Sequence, residues 1–492
     1  MSELLGANTD VLERNADSLS AGSRRVQDIH AMAQRAVAEL QASWNGPDLT
    51  GVTQQWEQEA SPLLVGASAF LDTCAQQLRA QSTAQRVASG AYGGIGETRA
   101  MPPKPPGAPP RRGSPTDNAT WWTSLSTLAQ QRVIREHPEW IGNRDGVSFS
   151  DRDVANRALL KVDRDHLQAE QRRLETTLAG DWSFGVFTND DAALEQTRDK
   201  LDSIAVIEAS LASPGERQLL VLDVSQARAE AAIANGNVET ADNVAVFVPG
   251  LSSNVSDKMK GYDTAMRHLQ QRTQLESIRA HPTQTSTAAT VTWIGYQAPQ
   301  PGLDVLIPHE SVAFDLNAKE GATSLAPFLS GISAARDRDP HLTLLGHSYG
   351  STTAGLALRH ETGVDDAVFF GSPGLDTNHL DDLSLAKGHA FYIEARDDVV
   401  GDLGALGPFG VDPSHLDGIQ HASARESTVV DPMTGEIRHF DEVTGHGSYL
   451  VDNSTSQYNI SVVVAGLAER RVYDSGEGIG DVLSWPIPGT FR

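Results

Sequence analysis

"HLTLLGHSYGSTTAG", residues 341–355, sets an apolar run directly against Gly-His-Ser-Tyr-Gly and follows it with small residues. A short apolar run ended by glycine suits a buried strand, and the small residues suit a helix lying close on a sheet. Ser348 then stands in a G-x-S-x-G pentapeptide at a strand-to-helix turn, a nucleophile elbow. The flanking glycines relieve crowding where the chain reverses, so the serine side chain is presented above the sheet. Its place at a helix N-terminus also puts free amides where negative charge would develop. Ser348 is therefore the candidate nucleophile.

A hydroxyl is a poor nucleophile until a base takes its proton, and an imidazole base needs a carboxylate to orient it. Behind such an elbow the chain order is serine, acid, histidine. In "YIEARDDVVGD", residues 392–402, Asp397 ends an apolar strand and is the favoured acid. Asp398 is its immediate competitor, because a one-residue slip exchanges their directions, and Asp376 in "GSPGLDTNHL" is a third option. His446, between two glycines in "DEVTGHGSYLVDN", is the favoured base. His415 and His421 lie in or beside a Gly-rich stretch suited to lining a pocket. His439 falls in an alternating apolar-polar segment and suits a strand surface. His347, inside the elbow, should point away from Ser348. An oxyanion hole needs two amides: Tyr349, directly after the nucleophile, and Leu251, after "VFVPG", where Gly250 leaves backbone room.

The rest of the chain supplies a setting for this constellation. "RQLLVLDV" and "AEAAIANGN" read as a strand pair, and strands and helices alternate from there. "NVAVFVPG", "TAATVTWIGY", "LTLLG", "DAVFFGSPG" and "AFYIEARDD" are strands, "MKGYDTAMRHLQQR" is a helix, and Leu325, Phe328, Leu329 and Ile332 mark a helix face. This alternation predicts an α/β fold with a mostly parallel sheet covered on both faces.

A chain of 492 residues exceeds one ordinary domain, and 39% apolar residues with eight Trp suffice for a large core. The net charge of −25 disfavours nucleic acid and anionic membranes as partners. Cys74 is the single cysteine, which excludes an internal disulfide and a Cys-based zinc site. No run is long enough to span a bilayer, and the N-terminus lacks the basic start and apolar centre of a signal peptide, which alone reads as cytoplasmic.

Residues 1–98 read as two amphipathic helices. Val26, Ile29, Ala33, Val37 and Leu40 share one face, and Trp56, Ala60, Leu63, Ala67, Phe70, Cys74 and Leu78 share another. "SWNGPDLTG" between them, with Trp44, Gly46 and Pro47, predicts a turn and an antiparallel hairpin. One hairpin cannot bury both apolar stripes, which implies a helical partner or self-association. This W-x-G turn resembles that of the helical-hairpin proteins handled by type VII secretion, with two departures: Pro62 interrupts the second helix, and Tyr92 and Glu97 are one residue too far apart for the Y-x-x-x-D/E signal. Residues 99–117, within "MPPKPPGAPPRRGSPTDN", read as a stiff Pro-rich linker. Residues 118–240 form a helical lead-in and the first strand pair, and residues 241–492 the catalytic core.

"WWTSL", "HPEWIGNRDGV", "DRDVAN", "VAVFVPG", "GHSYGS", "ARDDVV" and "GHGSYL", in this order, resemble an actinobacterial α/β-hydrolase family of uncharacterised function. The resemblance implies an α/β-hydrolase fold behind an all-α hairpin, with Ser348, Asp397 and His446 at the triad positions. The family often carries Thr where this chain has Leu251. The expected activity is a serine hydrolase of the esterase or lipase-like kind, acting on a small-molecule or lipid ester through an acyl-enzyme without metal or organic cofactor. A serine peptidase and a secreted module that binds rather than cleaves are the alternatives. The hairpin would make the chain a secreted or cell-envelope protein by a type VII route, against the cytoplasmic reading.

Overall fold

Strand β3, Asn243–Val248, is buried along its whole length, and its side chains alternate between two cores. Val244, Val246 and Val248 join one cluster, while Ala245 and Phe247 join the other. This is the period of two in a sheet covered on both faces. The computed structural model describes residues 9–43, scattered positions between 53 and 79, and 107–474 except 181–188, 285, 301–311, 399, 401–408 and 432–433.

Two units divide the chain, Met1–Lys104 and Pro105–Arg492. In the first, helix α1 spans Thr9–Ser43, and described positions from 61 to 79 are again helical. Arg79 pairs with Asp17, Ser23 donates to the Ser68 carbonyl, His30 meets Ser61 and Trp56, and Gln41 reaches Thr53. That order of contacts is antiparallel. Trp44, Gly46, Pro47, Pro62, Cys74, Tyr92 and Glu97 lie outside the described residues.

The second unit opens with helices α2 (Pro115–Ser124), α3 (Thr127–Glu136), α4 (Phe149–Gly180) and α5 (Asn189–Leu211). The end of the Pro-rich run is therefore not linker. Ser114 and Asp117 form the capping box of α2, and the Pro110 carbonyl accepts from Arg144. An eight-stranded sheet follows in the order β1-β2-β4-β3-β5-β6-β7-β8. Its strands are β1 Arg217–Asp223, β2 Glu230–Asn235, β4 Ala288–Ile294, β5 His341–His347, β6 Asp366–Phe370, β7 Ala390–Ile393 and β8 Gln420–Ala422, together with β3. The β1–β2 and β2–β4 pairs are antiparallel, and the rest are parallel. Helices α6 (Val255–Ala280), α7 (Val312–Ala334), α8 (Tyr349–Ala357) and α9 (Thr455–Val464) complete the set of long elements. A two-stranded sheet of β9 (Ser427–Val430) and β10 (Ile437–Phe440) precedes α9.

The segment "DRDVAN" has a structural role at the outer edge of β1. An edge strand carries backbone groups with no strand to meet them. Here side chains meet them: Asp153 accepts from the Leu219 amide, Asn156 donates to the Leu219 carbonyl, and Arg152 donates to the Leu220 carbonyl. Asn143 donates to the Leu222 carbonyl and accepts from its amide, and Arg157 donates to the Arg217 carbonyl. The Arg152 side chain is fully buried, pairs with Asp145 and lies against Phe149 and Phe328. A buried guanidinium is tolerated when its donors and charge are both met, as they are here.

Candidate active site

All the parallel strands run in one direction, so the loops after β3, β5, β6 and β7 gather at the carboxyl end of the sheet. Ser348 sits between β5 and α8 with φ 54° and ψ −135°, a conformation unfavourable for a residue with a side chain. The motif glycines explain how the chain bears it. A Cβ at Gly350 would lie 2.2 Å from the Val248 carbonyl oxygen, and one at Gly346 would lie 2.8 Å from Ser351 Cα. The elbow is thus pressed between its neighbours, and its serine faces the gathered loops.

The Ser348 hydroxyl donates to His446 Nε2 at 2.7 Å. The His446 Nδ1–H donates to Asp398, at 3.0 Å from Oδ1 and 3.1 Å from Oδ2. Asp398, not Asp397, is therefore the carboxylate against the imidazole. The cause is local: Asp397 takes φ 62° and is exposed, so the chain turns there and the next side chain enters the interior. The Asp398 side chain is wholly excluded from water. Burial opposes its charge, but hydrogen bonds from His446, Tyr449 and the Val400 amide outweigh this and hold the carboxyl below its ordinary range. The two loops are also joined directly, because the Gly445 amide donates to the Arg396 carbonyl at 2.7 Å.

Asp376 does not enter this chain of contacts; it takes φ 56° and its carboxylate pairs with Arg359 at 2.9 Å. The rival histidines are also elsewhere. His415 pairs with Asp412, His421 lies on β8 with its ring edge-on to Tyr392, and His439 lies on β10 beside Thr428. Gly250 is packed against the elbow: a Cβ there would stand 2.6 Å from Ser348 Cβ and 2.8 Å from the Tyr349 nitrogen. Half-buried Leu251 follows it in the same turn. Of the Gly-rich loop, residues 401–408 lie outside the described residues, while Phe409 meets the Tyr349 ring edge-on at 6.3 Å.

Of two further residues at the site, sequence reasoning sets His347 aside as a base and does not single out Tyr449. The His347 Nε2–H donates to the His446 carbonyl at 2.8 Å, and its ring lies 4.8 Å from that of His446. Burial, and then the neighbouring His446, push its basicity down to about 4, so at neutral pH it is an uncharged donor. Tyr449 donates to Asp398 Oδ2 at 2.5 Å. The only available sequence signal for both was their position, one inside the elbow and one in "GHGSYL".

A mostly parallel sheet with a serine–histidine–aspartate relay at its carboxyl end defines the α/β-hydrolase fold. A sequence model of the alpha/beta hydrolase family matches residues 225–408, which hold Ser348 and Asp398 but end before His446. An uncharacterised protein of Mycobacterium bovis is 30% identical over 252 residues, covering 50% of this chain and 91% of the relative. An uncharacterised protein of Mycobacterium tuberculosis is 32% identical over 312 residues, covering 61% of this chain and 45% of the relative. The chain belongs to the alpha/beta hydrolase family. Among solved structures, a hyperthermophilic esterase of Pyrobaculum calidifontis matches at 12% identity and TM-score 0.32, covering 56% of this chain and 94% of its own. An arylesterase matches at 13% identity and TM-score 0.30, covering 61% and 98%.

Proposed function

We propose that this chain is a serine hydrolase that cleaves ester bonds through a covalent acyl-enzyme. The observation that carries this reading is the 2.7 Å contact between Ser348 Oγ and His446 Nε2, with the far side of the imidazole on a buried carboxylate. His446 takes the Ser348 proton as Oγ attacks the carbonyl carbon, and the carbonyl electron pair moves to oxygen. Amides of Tyr349 and Leu251 receive that oxyanion. The C–O bond to the alcohol then breaks, and the imidazolium returns its proton to the leaving oxygen. Water repeats the sequence on the acyl-enzyme, releasing the acid and restoring Ser348. Asp398 stays ionised throughout, holding the imidazole tautomer and its developing charge.

An ester is the substrate class favoured, because an alkoxide leaves more readily than an amine anion and asks less of the relay. The test is hydrolysis of a p-nitrophenyl ester series by the full chain beside Ser348→Ala. Turnover that disappears in the variant supports the reading, and its trend with acyl length separates lipase-like from short-chain activity. A folded wild-type chain without turnover on esters or peptides points instead to a domain that binds. We also propose that residues 1–98 direct export by a type VII route. Exposed Ile29, Met32, Leu40 and Val65 supply an apolar surface for a helical partner. Loss of extracellular protein on deletion of residues 1–98 supports this, and unchanged fractionation contradicts it.

A further inference from the structure

The buried carboxylate of the relay is held by more than its histidine. Asp398 Oδ1 accepts from the Val400 amide at 3.0 Å as well as from His446. Oδ2 accepts from Tyr449, whose own oxygen accepts from the Ala395 amide at 3.0 Å. That amide fixes the polarity of the phenol: with its oxygen already receiving a proton, its O–H is directed at the carboxylate. We propose that Tyr449 is the positioning residue of the relay, fixing the plane of the Asp398 carboxylate so that both oxygens face His446 Nδ1. The assignment rests on the hydrolase reading above.

The packing is built around this contact. Gly371, at the end of β6, has φ 55°, and a Cβ there would stand 2.8 Å from Asp398 Oδ2, 2.9 Å from Tyr449 Cε2 and 3.1 Å from His446 Nδ1. A side chain at this point would displace all three groups, so the absence of one lets them meet. The Tyr449 ring lies 5.4 Å from Phe370 and 5.9 Å from His347, which limits its swing. Burial, then the bond to Asp398, raise the phenol far above its ordinary range, so it remains a donor wherever the enzyme would work. The other ionisable groups around the contact are His446, His347, Glu394 and Tyr392. Without the phenol, a carboxylate closed off from water loses one of its donors and is free to rotate on the rest.

The test compares ester hydrolysis by the full chain, Tyr449→Phe, Asp398→Asn and the double variant. Tyr449→Phe is expected to lower kcat about ten- to a hundredfold, the rate equivalent of one hydrogen bond to a charged group, with KM unchanged. The acid limb of its pH profile should move to higher pH, because the Asp398–His446 pair loses a donor that favours the charged carboxylate. In the Asp398→Asn background the same substitution should add little. Site-specific 3-fluorotyrosine at 449, a more acidic donor of nearly the same shape, should move the limb the other way. This second variant keeps the test open if Tyr449→Phe folds poorly. Additive losses, or a limb unmoved by both replacements, overturn the assignment while Ser348-dependent hydrolysis in the wild type leaves the hydrolase reading standing. Absence of that hydrolysis overturns the reading and the assignment together.

Discussion

Clusters of polar side chains from other elements meet the outer edge of β1 and the end of β5, and the two clusters act in opposite ways. Along β1 the contacts end on the strand itself: Asp153, Asn156, Arg152, Asn143 and Arg157 meet backbone groups of the edge, and Arg152 meets Asp145 as well. At the end of β5 the contacts form a line rather than a closed set, from Tyr449 to Asp398 to His446 to Ser348, and the last member is held at φ 54°. Polar groups that satisfy one another confer stability. Polar groups aligned toward a strained hydroxyl confer reactivity. On the proposed reading, the same residue types serve a scaffold in one region and a relay in the other.

Substitutions can break this contrast by affecting both properties at once. The largest effect is expected for Ser348→Ala and Asp398→Asn, each lowering kcat by about 10⁴-fold or more; Ser348→Ala should melt near wild type, while Asp398→Asn, whose amide leaves a buried donor without an acceptor, should melt lower. Asp397→Asn, beside it, should change kcat by less than about twofold, since asparagine tolerates the left-handed backbone and the side chain faces water. Steady-state ester hydrolysis distinguishes the two aspartates directly, and the reverse ranking would return the role to Asp397.

Arg152→Met is expected to act on the other side of the comparison. It strips the Leu220 carbonyl and Asp145 of the guanidinium donor and leaves the Gly142 carbonyl with Asn156 alone, and should destabilise the chain by about 3–5 kcal/mol in denaturant titrations. Activity per folded molecule should remain at the wild-type level. A large loss of kcat in chain that is still folded would show that the β1 edge and the relay are coupled.

The smallest expected effect concerns pH. His347 is depressed to about 4 in the fold, against an ordinary value of about 6.5. Between those values the unfolded chain binds the proton and the folded chain does not, so stability rises with pH across this window. The contribution is fully present above about 6.5 and is lost as pH falls toward about 4. His347→Gln should flatten the stability profile there by at most about 1.4 kcal/mol per pH unit. Parallel profiles for both proteins would contradict the assignment of that slope to His347.

The parts legible from sequence were those written in local pattern. Alternating apolar runs located the strands from β1 to β7, and the elbow identified Ser348 with its neighbouring helix. His446 stood out because two glycines isolate it ahead of a helical segment. The choice between Asp397 and Asp398 turned on one backbone angle, which a strand pattern does not encode. "DRDVAN" carried no readable role because its partners lie on β1, far along the chain, and a helix segment does not announce which strand edge it will cover. Tyr449 was hidden for a similar reason. Its function lies in a contact with a loop that precedes it by fifty-one positions.

The most direct test of the central claim is labelling of the purified full chain with a fluorophosphonate probe, with the modified peptide mapped by mass spectrometry beside Ser348→Ala and Asp398→Asn. A single adduct on Ser348 is expected, absent in Ser348→Ala and formed far more slowly in Asp398→Asn. A folded wild-type protein that takes up no probe, or one labelled equally fast without the Asp398 carboxylate, would contradict it.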